Sequence, residues 1–329
     1  MKVVIFGAGA TGSRVARQLR SSGKVTCVEI RDQQEAKARQ LVETLGSGAE
    51  YGEGRQIAGD TDAVVLATPP GSQAAVARRA VHRGVPVVAT SNQMSEVRRL
   101  LTLDQEALHH GVPVVIGAGF MPGLTGLLAR HGAAELDHVD EIHVAKVGTG
   151  GPACARQHHR ALSSTGLDWR DGKWTRRAGG SGRELAYFPD PIGGRDCYRA
   201  GLPDALLLVP EFVGVERVTA RQAATRRDRL TAPLPMLRPP HAEGGIGAVR
   251  VELRGRVGIE RKVLVMGAVE RPAVAAGAVA ACTTLHVLAG AAAPGAYGLA
   301  GMADSLTLLR AVGDCGVRPM RFEGVTTFL

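Results

Sequence analysis

The chain has 329 residues, an apolar fraction of 45% and a charged fraction of 22%, values typical of a globular protein with room for two domains. Its formal net charge is +9, but the arginines and lysines are scattered as singles and pairs, and only 4% of the residues are aromatic. Bases stack on aromatic side chains, so this composition argues against nucleic-acid binding. The positive charge instead suits an anionic cofactor and an acidic substrate.

Five cysteines without a Cys-x-x-Cys pair predict neither a disulfide framework nor a zinc site, and no Asp, His and Cys residues have metal-ligand spacing. Met1 leads directly into a predicted strand, which leaves no room for a signal peptide. The Ala-rich stretch 272–293 reaches membrane-span length, but its threonines, histidine and two glycines favour a buried helix. We therefore expect a cytoplasmic protein that binds no metal and no membrane.

The first predicted elements are a strand, a glycine turn and a helix. Residues 3–12 run from an apolar strand into Gly7-x-Gly9-x-x-Gly12. The first glycine permits the tight turn, the second lets the backbone approach a pyrophosphate, and the third lets the helix pack on the strand. Free N–H groups at the start of the helix attract phosphate. These features predict a dinucleotide-binding site at Gly7, Gly9, Ala10, Thr11 and Gly12.

The second predicted strand, residues 24–30, ends near Glu29, which lies 17 residues beyond Gly12. This is about where an acidic side chain binds the 2′-hydroxyl of the adenosine ribose. Such a carboxylate repels a 2′-phosphate, so Glu29 favours NAD as the cofactor. Arg31 lies two residues on and is able to accept a 2′-phosphate if Glu29 turns away, which leaves NADP open.

Alternating strands and helices continue to residue 117 and predict a doubly wound parallel sheet. The expected helices are 34–45, 72–83 and 103–110, and the expected strands are 63–68, 85–90 and 112–117. In open α/β sheets the ligand lies outside the carboxyl ends of the strands. The cofactor is therefore expected to contact Thr68, Pro69, Ser91 and Asn92.

The pattern changes after residue 139. Strand-like segments at 141–146, 249–253 and 262–269 flank a stretch rich in Gly, Arg and Pro, residues 166–201, which predicts long loops over an active site or a mobile segment. The predicted fold class is α/β. An N-terminal Rossmann domain with a doubly wound parallel sheet spans 1–125, and an α+β domain with a mixed sheet spans 126–329. The second domain is expected to serve substrate binding and dimerisation. The Ala-rich helix is expected on its sheet, and the C-terminal tail is able to pack back on the first domain.

The segment that follows the strand at 112–117 carries a family resemblance. It has the sequence Gly117-Ala-Gly-Phe-Met-Pro-Gly-Leu-Thr-Gly-Leu-Leu128. It resembles the Gly-Phe-Asp-Pro-Gly-Leu-Ser/Thr segment of the saccharopine dehydrogenase-like family, which includes saccharopine reductases and carboxynorspermidine dehydrogenases. The run Phe188-Pro-Asp-Pro-Ile-Gly-Gly-Arg-Asp-Cys-Tyr198, followed by Leu-Pro-Asp at 202–204, is similar to the family's Phe-Pro-Glu-Pro…Cys-Tyr segment.

The resemblance covers most of the chain, closely up to Arg130 and loosely afterwards. It implies that Gly119, Phe120 and Pro122 border the nicotinamide of the cofactor. One position departs from the family: Met121 replaces the usual acid before the Pro-Gly pair. Any polar contact made by that acid is absent here, so the substrate or the subclass is expected to differ.

Enzymes of this resemblance join or split an amino acid and a carbonyl compound through an imine, with a hydride moving to or from the nicotinamide. The protein must then manage one proton at nitrogen and bind carboxylates. Lys, His and Tyr suit the proton, and the planar fork of Arg suits a carboxylate. The candidate proton-transfer groups are Lys146, His158, His159 and Tyr198, and the candidate carboxylate-binding groups are Arg156, Arg160 and Arg195.

Each candidate also has a plain structural alternative, such as a surface lysine, a capping histidine or a core tyrosine. Together the patterns predict an NAD(P)-dependent oxidoreductase acting on a C–N bond of an amino-acid-derived substrate. Two other functions stay open: an amino acid or semialdehyde dehydrogenase of the aspartate or homoserine type, and a non-catalytic dinucleotide-binding redox sensor. The expected partners are a small carboxylate-bearing substrate and a second copy of the chain in a homodimer.

Overall fold

The computed structural model describes residues 1–236 and 239–322. Its strands are β1 Lys2–Phe6, β2 Cys27–Arg31, β3 Ala49–Tyr51, β4 Ala63–Leu66, β5 Val87–Ala89, β6 Pro113–Ile116, β7 His138–Val147, β8 Gly166–Arg170, β9 Lys173–Arg177, β10 Glu184–Phe188, β11 Gly193–Arg199, β12 Arg217–Ala223, β13 Gly247–Val257, β14 Glu260–Glu270, β15 Gly295–Gly298 and β16 Pro319–Arg321. Its α-helices are α1 Ala10–Ser21, α2 Glu35–Leu45, α3 Gln73–Val81, α4 Met94–Leu101, α5 Asp104–His109, α6 Leu124–Ala133, α7 Pro152–Ala161, α8 Asp204–Leu208, α9 Arg226–Thr231, α10 Pro272–Leu288 and α11 Ser305–Asp314.

The first sheet has seven parallel strands in the order β15-β6-β5-β4-β1-β2-β3. Strand β1 shows why both faces must be covered, because Val3 and Ile5 belong to one apolar layer while Val4 and Phe6 belong to the other. Helices α1, α2 and α10 contribute to the first layer, and α3, α4 and α5 to the second. A parallel sheet with helices on both faces is the doubly wound arrangement, so the predicted fold class is confirmed.

The second sheet is mixed. Its main path is β10-β11-β12-β7-β13-β14-β16, and β8 pairs with both β12 and β9. Strands β12 and β7 run parallel, whereas β7 and β13 run antiparallel. Helix α6 packs on β13, β14 and β7, and α8 packs on β12. Helix α6 follows β6 of the first sheet and leads into β7 of the second, so it connects the two sheets.

The stretch 166–201, expected to form long loops or a mobile segment, forms strands instead, so this prediction is wrong. Strands β8 and β9 make a hairpin in which Trp169 pairs with Trp174, and β10 and β11 make a second antiparallel pair. The turn between β8 and β9 is Asp171-Gly172, and both residues have positive φ angles, 49° and 74°. Asp-Gly between alternating residues is a strong hairpin pattern, and it outweighs the Gly and Arg content around it.

The chain returns to the first sheet near its end. Strand β15 pairs in parallel with β6 and becomes the seventh strand. Helix α10, expected on the second sheet, packs chiefly on α1. Gly277 makes this close contact possible, because a Cβ built there would lie 2.5 Å from the Cβ of Arg14. Among the described residues, no helix is long and apolar enough to cross a membrane. The boundary at 125/126 stays a prediction.

Candidate active site

A cleft of about 500 Å³ lies where the strands of the first sheet end and the second sheet begins. Such a position is the usual ligand site of open α/β sheets. Many residues that the sequence singled out line this cleft, from the glycine turn at one end to β7 at the other. They are Gly7, Gly9, Ala10, Thr11, Thr68, Pro69, Ser91, Asn92, Gly119, Phe120, Pro122, Lys146 and Arg156.

The glycine turn has the geometry that a diphosphate requires. Gly7 has a φ angle of +109°, and a Cβ there would lie 2.5 Å from the carbonyl oxygen of Ala67. A Cβ on Gly12 would lie 1.8 Å from the carbonyl oxygen of Gly7, so Gly12 lies beneath the turn and lets α1 pack on β1. Gly9 has only open space beside it within 4 Å, and α1 begins there without a side-chain cap. The turn therefore fits a dinucleotide diphosphate.

The acidic group at the end of β2 is Asp32 rather than Glu29. Asp32 lines the cleft, and its carboxylate accepts hydrogen bonds from the backbone N–H groups of Ala8, at 2.7 Å, and Gln34, at 2.8 Å. The carboxylate of Glu29 points away from the cleft and is held by Lys2, at 3.1 Å, and by Arg31. The spacing in the sequence also favours Asp32, because the ribose-binding acid usually lies about 20 residues beyond the glycine turn.

Arg31 borders a smaller cavity of about 180 Å³ that adjoins the cleft at Asp32. Its guanidinium is buried, pairs with Glu29, donates to the carbonyl oxygen of Gln56 and lies 5.4 Å from the ring centroid of Phe6. This cavity lies beyond the ribose-binding position and suits the adenine ring. The guanidinium of Arg31 already forms an ion pair with Glu29, so it is not available to bind a 2′-phosphate.

The other end of the cleft is formed by residues 119–122 and the end of β7. Lys146 lies there with only 5% of its surface exposed, although its ammonium reaches the cleft. Within residues 1–236 and 239–322, no hydrogen-bond acceptor or carboxylate is paired with this ammonium. Arg156, one turn into α7, also lines the cleft and is exposed.

Three polar groups, Asp204, His158 and Gln222, lie near Lys146, and the sequence singled out only His158 as a site residue. Asp204 is 1% exposed; Thr125 donates to one of its oxygens at 3.0 Å, and the other oxygen has no partner among the described residues. Burial raises the pKa of Asp204 to about 6, and the nearby Lys146 ammonium opposes that rise. Burial and the charge of Lys146 lower the pKa of His158 to about 3, so this ring is neutral at physiological pH.

Gln222 lies beside Lys146, because the two residues are partners in the register of β12 and β7. Its side-chain amide donates to the carbonyl oxygen of His158 at 2.7 Å and thereby ties α7 to the sheet. Nothing in its local sequence distinguishes Gln222 from a surface glutamine. Its position follows only from the pairing of two strands that are far apart in the chain.

Four other predicted site residues do not reach the cleft. The Nε2 of His159 bonds the backbone carbonyls of Thr231, at 2.9 Å, and Leu234, at 3.1 Å, which ties α7 to the end of α9. Tyr198 is buried in the second domain, with the guanidinium of Arg229 at 4.3 Å from its ring centroid. The remaining two, Arg160 and Arg195, lie on exposed parts of α7 and β11.

Comparison with known proteins agrees with this geometry. Residues 1–102 match the model of the Gfo/Idh/MocA oxidoreductase family, described as having an NAD-binding Rossmann fold. The cleft and this match together define the chain as an NAD-dependent dehydrogenase. The matched family is not the saccharopine dehydrogenase-like family that the segment at 117–128 resembles, so the finer assignment is a proposal.

Solved structures share the architecture across both domains. The saccharopine dehydrogenase (L-Glu forming) of Saccharomyces cerevisiae is 15% identical, with a TM-score of 0.72 over 98% of this chain and 100% of that chain. A probable dehydrogenase from Thermotoga maritima is 11% identical, with a TM-score of 0.51 over 98% of each chain. At these identities the likeness concerns the fold.

Proposed function

We propose that this protein transfers a hydride to or from the C–N bond of an amino-acid-derived substrate, as enzymes of the saccharopine dehydrogenase-like family do. The observation that carries the proposal is Lys146, a residue only 5% exposed that lines the cleft together with residues 119–122. Among the described residues its ammonium makes no hydrogen bond or ion pair, although the carboxyl of Asp204 lies near enough to feel its charge. The ammonium is therefore available to a substrate that brings an anion or an amine or imine nitrogen to this position.

The roles of the residues follow from their positions along the cleft. The glycine turn holds the diphosphate, Asp32 accepts from the adenosine ribose, and the segment 119–122 borders the nicotinamide, which supplies or accepts the hydride when bound. Lys146 gives a proton to the substrate nitrogen or takes one from it. Arg156 pairs with a carboxylate on the exposed side of the cleft.

The charge of the cleft supports an acidic substrate. Its lining includes three cationic side chains, Lys37, Lys146 and Arg156, against one carboxylate, Asp32. The lining therefore carries an excess of positive charge, which attracts an anionic ligand. The shared architecture with saccharopine dehydrogenase, whose product by name is an amino acid, favours the same substrate class. The homodimer stays a prediction.

The test is to follow NADH and NADPH absorbance with pools of amino acids, with and without 2-oxo acids, and then to repeat the active pool with variants. Lys146→Met is expected to lower kcat by about 100-fold or more, because general acid–base catalysis is removed, with an unchanged Kd for the cofactor. Lys262→Met, on the same sheet but paired with Glu135 at 3.3 Å, is the control and keeps full turnover. Wild-type turnover in Lys146→Met, or no turnover in any pool, contradicts the proposal.

A further inference from the structure

Several helices begin at the cleft, and three of them, α1, α7 and α10, have starts that lie close together without a side-chain cap. Helices α1, α7 and α10 have Gly9, Gly151 and Arg271 as their N-cap residues. The starts of the helices lie close together, since a Cβ on Gly151 would lie 2.9 Å from that of Ala10, and one on Gly150 would lie 3.4 Å from that of Ala273. Uncapped N-termini direct backbone N–H groups and positive dipole ends at whatever fills the space between them.

The start of α7 keeps the larger number of free donors outside the diphosphate turn. In α7, only the Ala155 amide finds an acceptor in the preceding loop, at the carbonyl of Gly151, so within the described chain the amides of Ala153 and Cys154 have none. In α10, by contrast, the amides of Val274 and Ala275 both donate to the carbonyl of Arg271. Proline is the first residue of both helices and offers no N–H.

A second observation indicates an anion at this place. Lys146, only 5% exposed, lines the same cleft as Ala153 and Cys154, and its ammonium has no partner among the described residues. The glycine-rich run 148–151 connects Lys146 to the first turn of α7, because it links the end of β7 to the start of that helix. A cation and two free amides therefore belong to the lining of one cleft, next to the diphosphate turn.

We infer that the first turn of α7 is a carboxylate subsite, in which the amides of Ala153 and Cys154 bind the α-carboxylate of the substrate beside Lys146. The inference rests on the proposed function and adds to it, because it assigns the group that orients the substrate. In an α-amino acid the carbon bearing nitrogen is bonded directly to the carboxylate. Binding the carboxylate at α7 thus places the C–N bond at the ammonium of Lys146.

The test uses oxalate as the probe, titrated calorimetrically into the protein saturated with NADH. Cys154→Asp puts a permanent carboxylate in the first turn, where it stabilises a helix but competes with a bound anion. Cys154→Asn is the matched neutral control. We expect Cys154→Asp to raise the Kd of oxalate by about tenfold or more, and Lys146→Met to do the same, while Cys154→Asn changes it by less than about threefold. The Kd of NADH without oxalate is expected to stay within about threefold in all variants.

Two results overturn the inference. If Cys154→Asp raises the Kd of NADH as much as the Kd of oxalate, the start of α7 binds the cofactor diphosphate. If oxalate binds equally well to wild type and to Cys154→Asp, and thermal melting shows that both proteins are folded, the subsite is elsewhere or absent. The proposed function is tested separately. If the protein binds oxalate at α7 but turns over no amine, the carboxylate subsite stands and only the proposed C–N chemistry is contradicted.

Discussion

Two carboxylates on and after β2 show how a small displacement along the chain changes a role. Glu29 lies within the strand and is held by Lys2 and Arg31, whereas Asp32 follows the strand and lines the cleft. Both are acidic and both come after the glycine turn, so composition alone does not separate them. The end of the strand separates them, because a ligand at a parallel sheet meets side chains only beyond the last paired residue.

Exchanging the two carboxylates for amides tests this assignment. Asp32→Asn is expected to raise the Kd of NADH by about tenfold. It is also expected to lower the ratio of the Kd of NADPH to the Kd of NADH, because the charge that repels a 2′-phosphate is lost. Glu29→Gln is the matched control and leaves the ratio of the two Kd values unchanged, although it lowers stability by about 1–3 kcal/mol because the buried guanidinium of Arg31 loses its carboxylate partner. Fluorescence titration measures both ratios. A shift with Glu29→Gln alone contradicts the assignment.

The buried carboxyl of Asp204 links pH to stability. Its pKa rises from 3.8 to about 6 on burial, so the folded protein binds this proton more tightly than the unfolded chain does. The contribution of this proton to the free energy of unfolding is complete below pH 3.8 and is lost as pH rises through about 6, a decrease of at most about 3 kcal/mol. The free energy of unfolding stays lower by this amount at higher pH.

Asp204→Asn removes that titration. We expect the stability of the variant relative to wild type to increase between pH 4 and pH 7, by up to about 3 kcal/mol, and then to stay level. Urea unfolding at several pH values measures the difference. The contribution of His158, which titrates in both proteins, largely cancels in this comparison. A difference that does not change with pH places the carboxyl of Asp204 in a more polar environment than the structure shows.

Helices α1 and α10 illustrate packing at the scale of elements. Gly277 allows α10 to approach α1 closely, since any Cβ there meets Arg14 at 2.5 Å. The buried residues of α10 on either side of Gly277 are mostly alanines, whose small side chains let the two helices stay close along their length. The start of α1 binds the diphosphate in our proposal, so the position of α10 also fixes part of the cofactor site.

Two glycine substitutions of the same kind should act in opposite directions. Gly277→Ala is expected to destabilise the protein by about 1–3 kcal/mol because the two helices must separate. Gly313→Ala in α11, where a Cβ meets nothing within 4 Å, is expected to stabilise by up to about 1 kcal/mol through helix propensity. Thermal unfolding measures both. Equal small effects would mean that α1 and α10 pack less closely than the structure shows.

At the scale of the whole molecule, segments that are far apart in the chain complete one sheet. Strand β15 pairs with β6, and α10 covers α1, although β15 and α10 both come near the end of the chain. The predicted boundary at 125/126 therefore separates the first sheet from its seventh strand and from a helix of its apolar layer. A sheet edge and an apolar helix face would be exposed in the fragment.

Expression of the fragment 1–125 tests how far the first domain is independent. We expect the fragment to unfold without a cooperative transition and to bind NADH at least about tenfold more weakly than the whole chain, because part of its core is missing. Joining the segment 270–314 through a Gly/Ser linker is expected to restore a cooperative transition. Circular dichroism melting and NADH titration measure both. A cooperative fragment with full affinity would make 125/126 a true domain boundary.

The sequence by itself determined the first half of the fold and one end of the cleft. A strand, a glycine turn and a helix are local, so Gly7, Gly9 and Gly12 could be assigned their geometry directly from their order. The segment 119–122 and Lys146 were also located, since the segment follows the apolar strand β6 and Lys146 lies near the end of β7. Helix α4 was missed because it is only eight residues long, and the Asp171-Gly172 hairpin was missed because its glycine-rich surroundings favoured a loop.

Only the tertiary structure decided which polar groups gather around Lys146. Asp204 and Gln222 are both distant from it in the chain, and each arrives through strand pairing or helix packing that no local pattern encodes. The same kind of long-range contact keeps Tyr198 and His159 away from the cleft, because each has a partner on α9 or at its end. Local propensity fixes where strands end, whereas the choice among polar side chains depends on contacts between distant segments, which is why the cofactor turn was predictable and the substrate end was not.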